Sequence, residues 1–318
     1  MENEFENENE NDEIEELQQI LREDSSNFQA RRRLAMVLLD KGFNEEALKQ
    51  FQFLITIFPS DASLYYNMGI VYEKMRKPEM AEQAYLKGIE ISPDDTDFYY
   101  NLGLVYIDMY EFDKAIEQFK IVLETDSDDG NSYFNLGLCY IKMKPPQYDV
   151  AKICFLKAVN CNSHDIFAHF HLGYIYKLEG KIQEAINEYK IVLEENSNWS
   201  WSYFNMGAIY FEQGDMDQAM LNLHKCLELN PRDVEAYKIF SQILVKTGRT
   251  NQAVDLLKSA LQEVPDNGDL YYVLAQNYKL NNVISDYKYN LEQALANEDT
   301  LTMTSTDNII QELAEFDV

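Results

Sequence analysis

Small, aromatic and aliphatic positions recur along this chain every 34 residues. From Met68, the string Met68-Gly69-x-x-Tyr72 is followed by Ala81-x-x-x-Tyr85 and Pro93. The pattern returns as Leu102-Gly103-x-x-Tyr106 with Ala115 and Phe119, then as Leu136-Gly137-x-x-Tyr140, Leu172-Gly173-x-x-Tyr176 and Met206-Gly207-x-x-Tyr210. A fixed period of this length, with small and aromatic residues at set offsets, predicts stacked helix-turn-helix units.

With each unit numbered 1 to 34, the starts fall at Phe28, Ala62, Thr96, Gly130, Ile166, Ser200, Val234 and Gly268. Position 8 holds Ala35, Gly69, Gly103, Gly137, Gly173, Gly207, Ser241 and Ala275, and position 20 is usually Ala, as in Ala47, Ala81 and Ala115. Small residues there let the two helices of a unit, A and B, cross at close range. Position 24 holds Phe51, Tyr85, Phe119, Phe155, Tyr189, Leu223, Leu257 and Leu291, which fill the space so left. Gly42, Gly180, Gly214 and Gly248 mark position 15 as the A-to-B turn, where positive φ ends helix A. Pro59, Pro93, Pro231 and Pro265 at position 32 stop helix B or open the next helix. Repeat 4 has two residues more between Gly137 and Ala151, and they include Pro145-Pro146; a bulged turn is predicted.

These offsets resemble the tetratricopeptide repeat (TPR) family over most of the chain. The resemblance implies an all-α, right-handed solenoid of eight repeats, 28–61, 62–95, 96–129, 130–165, 166–199, 200–233, 234–267 and 268–301, with about eight units to a turn. Residues 1–11 read as a disordered acidic tail and 12–27 as an N-terminal capping helix, because Leu17 lies one period before Phe51. Arg31, Arg32 and Arg33 are basic partners for that acidic segment. Residues 302–318 read as a tail with a short amphipathic cap, Asn308 to Phe316, on repeat 8. The alternative for that segment is the groove itself.

Composition narrows the function. The formal net charge of −28 and the lack of a Lys/Arg stripe exclude nucleic acid and anionic membrane as partners. The acidic surface speeds encounter with basic partners, and the alternative is that it serves the solubility of a long array. No apolar run is long enough to span a membrane, and the Glu- and Asn-rich start is unlike a signal peptide, so a cytoplasmic protein is expected. Cys139, Cys154, Cys161 and Cys226 lack paired spacing and read as buried free thiols. No phosphate-binding, nucleophile-elbow, zinc-protease or CxxC motif is present, so no enzyme and no cofactor is implied. His169 and His171 point to opposite sides of a helix, which disfavours a shared metal; packing is the expected role of the cluster with His164.

What remains is the concave groove, which the resemblance lines with positions 2, 5, 6, 9 and 12 of the A helices. In repeats 2 to 6, position 5 is Tyr66, Tyr100, Phe134, Phe170 and Phe204; Leu104, Leu138, Tyr174 and Trp201 join them. Such an apolar strip on so acidic a chain marks a binding surface. Position 6 reads Asn67, Asn101, Asn135, His171 and Asn205. An Asn amide can match both the N–H and the C=O of a passing peptide. This ladder resembles the one in the TPR arm of the enzyme that glycosylates Ser and Thr with N-acetylglucosamine, although no transferase domain follows. The competing reading is a common repeat residue that caps or faces solvent. The carboxylate clamp of chaperone-binding TPR proteins does not fit, because its best register gives Arg32, Met36, Asn67, Asp97 and Asn101. The reading is a monomeric, non-catalytic scaffold for an extended peptide of a client. The alternatives are a structural subunit of a homo-oligomer or larger assembly, and an accessory arm for an enzyme acting in trans.

Overall fold

A computed structural model describes residues 2–315, with side chains from Glu13 onward. Among the described residues the regular elements are all helical, apart from turns: α1 (Glu2–Glu23), then α2 (Phe28–Asp40), α3 (Asn44–Ile57), α4 (Ala62–Lys74), α5 (Pro78–Ile91), α6 (Thr96–Asp108), α7 (Phe112–Thr125), α8 (Gly130–Lys142) and α9 (Tyr148–Cys161). The second half continues with α10 (Ile166–Leu178), α11 (Ile182–Glu195), α12 (Ser200–Gln213), α13 (Met216–Leu229), α14 (Val234–Lys246), α15 (Thr250–Glu263), α16 (Gly268–Leu280), α17 (Ile284–Ala296) and α18 (Thr306–Ala314). All eight A helices begin at the residues the 34-residue register predicts. The helices form two compact units, Met1–Ala168 and His169–Val318.

Seven of the eight A helices have their starts fixed by the side chain of the residue before them; α12, which follows Trp199, has no such cap. Asn27, Asp61, Asp95, Asp129, Asp233 and Asn267 each accept a hydrogen bond from a first-turn N–H, and Asp165 accepts from both Phe167 and Ala168. A carboxylate there also faces the positive end of the helix dipole. A share of the chain's acid is thus structural.

The A helices end in a left-handed residue at position 15. Gly42, Gly180, Gly214 and Gly248 have φ between 74° and 82°. Arg76, Tyr110 and Asn282 occupy the same position at φ 55°, 59° and 57° without being glycine. Repeat 4 departs, with α8 and α9 joined by 143–147 and a cis Lys144-Pro145 bond.

Position 8 meets position 24 as predicted. A Cβ on Gly69 would stand 2.2 Å from the Tyr85 ring, one on Gly103 2.7 Å from Phe119, one on Gly137 2.6 Å from Phe155, and one on Gly173 2.8 Å from Tyr189. Those four aromatics are buried, so the fit leaves no room for a methyl group.

In the first unit, α1 packs Leu17 into the cluster of Phe51, Leu54 and Leu34, with Ile14 and Leu21 beside it. The helix is longer than expected. It starts at Glu2, so 2–11, read as a disordered tail, is helical. Glutamate is a strong helix former, and its charges are favourable at the N-terminal end of a helix, a bias that outweighs the scarcity of apolar residues. Of the three arginines, Arg33 pairs with α1 at Glu13 (2.6 Å). Arg32 bonds Asp61 (2.5 Å), while Arg31 bonds Gln50 and lies over the Phe53 ring.

In the second unit, α18 packs the fully buried Ile309 against Leu270, Leu274 and Leu291. The expected cap thus begins two residues early, and Phe316 lies outside the described residues. Cys139, Cys154 and Cys226 are buried; Cys161, read as buried, is exposed. It is the last residue of α9, its Cβ beside Gly130 at the start of α8, and partial burial with the nearby carboxylates of Asp128, Asp129 and Asp126 pushes its thiol above its ordinary pKa.

Candidate functional site

In Met1–Ala168 the predicted site residues sit on α4, α6 and α8, and the structure links them in an unexpected way. The Asn101 amide donates both to the Asp97 carbonyl one turn back (2.8 Å) and to the Tyr66 hydroxyl of the preceding repeat (3.2 Å). Asn135 donates to the Tyr100 hydroxyl at 3.2 Å. Asn67 donates to the Ser63 carbonyl at 2.8 Å. Asn101 therefore has no N–H left for a ligand and offers only its Oδ1. Asn135 is 8% exposed, closer to a core residue than to a groove one. Burial pushes the Tyr66 and Tyr100 hydroxyls above their usual pKa, against the pull of the Asn101 and Asn135 bonds.

The aromatic members of this stretch double as core. Tyr66 packs against Tyr85 and Phe98, Tyr100 against Phe119 (5.7 Å between ring centres), and Phe134 against Phe155 (5.7 Å) and Phe167 (6.2 Å). Leu104 and Leu138 are half-buried, Leu104 beside the same cluster. One turn along, the Tyr85 hydroxyl donates to Glu73, whose carboxyl burial raises above the ordinary range.

In His169–Val318 the same register carries different chemistry. Phe170 stands where Tyr66 and Tyr100 stand, without a hydroxyl, and packs on Tyr189 (5.7 Å) and Trp199 (6.3 Å). Asn205 accordingly bonds only its own helix, at the Trp201 carbonyl (2.8 Å), and keeps one N–H and its carbonyl for another partner. Phe204 is half-buried, in the cluster of α12 to α14. Trp201 is 56% exposed, Leu178 52% and Tyr174 37%. His171 is half-buried against the Phe170 ring, whereas His169 is buried with Nδ1 at 2.6 Å from Glu188. No three potential metal ligands converge among the described residues.

Two features escaped the sequence reading. The tyrosine partners of the asparagines carried a signal, Tyr at position 5 and Asn at position 6 of the next unit, 35 residues apart, twice in succession. The second is a polar cluster on repeat 8 around Asp269 and Glu312. Only the fold brings its residues together.

Among the described residues no helix is long and apolar enough to cross a membrane. Tetratricopeptide repeat profiles match residues 62–95 and 200–233, 84–117, and 130–164 and 168–198. No curated protein matches the chain. Among solved structures, the crystal structure of YrrB, described as a TPR protein with an unusual peptide-binding site, is 25% identical, with a TM-score of 0.50 over 58% of this chain and 95% of that one. The pilF protein of Pseudomonas aeruginosa (18% identity, TM-score 0.58, 68% of this chain and 97% of that one) shares the fold. So does a tetratricopeptide repeat protein from Parabacteroides merdae (18%, 0.56, 79% and 98%). Profiles, helix register and packing agree: the chain belongs to the tetratricopeptide-repeat family, an all-α solenoid of helical repeats of the kind that serves protein–protein interaction.

Proposed function

We propose that this chain is a non-catalytic scaffold that binds an extended peptide segment of a partner protein on its A-helix face. Trp201 carries the reading. Position 2 is Gln29, Ser63, Asp97, Asn131, Glu235 or Asp269 in the repeats other than 5 and 6. In repeat 6 it is a tryptophan with more than half its surface in water. Exposed indoles next to other apolar side chains are typical anchors of binding energy. Asn205, four residues on, retains a donor and an acceptor and can pair with a peptide unit. In the first unit the asparagines read less of a ligand, because Tyr66 and Tyr100 already hold two of them.

The finer features of the reading rest on chemistry. A surplus of 28 negative charges favours a partner segment with basic residues. Buried thiols without a disulfide fit the reducing cytoplasm, where the scaffold would act as a monomer. The peptide-binding site in the description of YrrB supports the same class of ligand.

The test is selection of 12-residue peptides from a random library on the full-length protein, followed by titration of Trp201→Ala. Binding at least tenfold weaker with an unchanged melting temperature is expected. Selected peptides that bind Trp201→Ala as well as the wild type reject the site.

A further inference from the structure

Repeat 8 holds a carboxylate site that is already filled. Donors on α16 and α17 converge on Glu312 of α18: the Gln276 amide at 3.1 Å, the Tyr272 hydroxyl at 3.4 Å, the Lys279 ammonium at 3.7 Å, and the Tyr287 hydroxyl. Tyr272, Gln276 and Lys279 occupy positions 5, 9 and 12, the ligand register of the other repeats. Position 2 is engaged as well. The buried Asp269 accepts the Thr302 and Met303 N–H groups (2.7 and 2.8 Å) and the Thr302 hydroxyl (2.5 Å), and it pairs with Lys238 (3.1 Å). The segment 301–314 thus lies on the face of repeat 8 that elsewhere is open.

Its apolar hold is small. Ile309 is the one fully buried side chain of α18, Leu301 and Leu313 are half-buried, and Ile310 points into water at 53% exposure. Hydrogen bonds to an ionised acceptor are the strong ones, and here they concentrate on a single glutamate. In a chain with so large an excess of acid, an ammonium, an amide and two phenols around one carboxylate form a site selective for that group.

We propose that repeat 8 recognises an acidic segment of a partner protein, an apolar residue followed three residues later by glutamate, and that Ile309-x-x-Glu312 of the chain's own tail occupies this site until such a segment displaces it. The proposal is independent of the binding surface in repeats 5 and 6.

The probe is a fluorescent peptide with the sequence of residues 301–315, titrated into full-length protein. Hydrogen exchange over 306–314 reports release of the resident tail. Glu312→Gln should raise that exchange and bind the peptide at least tenfold more tightly than the wild type. Adding Tyr272→Phe and Gln276→Leu should erase the gain, as should Gln in place of the peptide's glutamate. If α18 stays as protected in Glu312→Gln as in the wild type, Glu312 does not hold the tail and the proposal fails. It fails equally if the tail is released and the peptide still does not bind.

Discussion

Repeats 2 and 3 and repeats 5 and 6 are built on one plan and finish it differently. In repeats 2 and 3 the tyrosines of the A-helix face are each bonded to the asparagine of the next repeat, Tyr66 to Asn101 and Tyr100 to Asn135, and the A-to-B turns are closed by strained Arg76 and Tyr110. In repeats 5 and 6 phenylalanine replaces the tyrosine, Asn205 keeps unspent hydrogen-bonding groups, Trp201, Tyr174 and Leu178 face water, and Gly180 and Gly214 take the left-handed turn without strain. One stretch uses its polar groups to tie repeats together. The other leaves chemistry for a second molecule.

The largest effect should separate core from surface. Phe134→Ala, which empties a half-buried ring contact with Phe155, is expected to cost about 3 kcal/mol in urea denaturation. Trp201→Ala should cost roughly 0.5 kcal/mol or less in the same assay while weakening peptide capture at least tenfold. Equal losses of stability would erase the contrast.

Next come the amides. Asn135→Ala takes its partner from the half-buried Tyr100 hydroxyl and should destabilise by about 1 kcal/mol, whereas Asn205→Ala, which gives up only a bond to its own helix, should stay within about 0.5 kcal/mol. A thermal melt of each variant decides. The turns should give opposite signs. Arg76→Gly and Tyr110→Gly relieve left-handed strain and should each raise stability by about 1 kcal/mol, while Gly180→Ala and Gly214→Ala should lower it by a similar amount. Chemical denaturation of the four variants checks the ranking.

Acid should produce the smallest difference. Burial opposes ionisation of Asp61, but Ser63 and Arg32 outweigh it; at Asp269 burial is outweighed by Thr302, Met303 and Lys238. Both carboxyls are therefore held below their usual 3.8. A depressed folded-state pKa means that the stability each contributes is complete above the unfolded value and is lost as pH falls through the folded one. As pH falls below 3.8, the protection of α18 against hydrogen exchange, taken relative to the intrinsic exchange rate at each pH, should drop, and Asp269→Asn should reduce that pH dependence.

The period made the helix starts, the close fit of positions 8 and 24 and the docking of Leu17 legible, because each depends on spacing within one repeat or between neighbours. The fate of the asparagine ladder was not. Whether Asn101 faces a ligand or Tyr66 depends on angstrom-scale separation of two A helices, and a residue list carries that only as a coincidence of offsets. Arg76 and Tyr110 gave no sign of positive φ, since the packed helices on either side impose it against local preference. The helix over 2–11 was not legible because few apolar residues mark it, and glutamate's helix propensity leaves no periodic signature.

The two ends of the chain together amount to one repeat cut in half. Helix α1 ends at Glu23, 34 residues before α3 ends at Ile57, and so stands where a helix B would. Ile309 falls 34 residues after Ala275, at the eighth place of a would-be ninth helix A. Every true A helix needs Gly, Ala or Ser there, because a helix B lies behind it. In α18 that place is taken by a bulky isoleucine, which is itself the filling against Leu270, Leu274 and Leu291, as the aromatic or leucine of helix B is in the repeats.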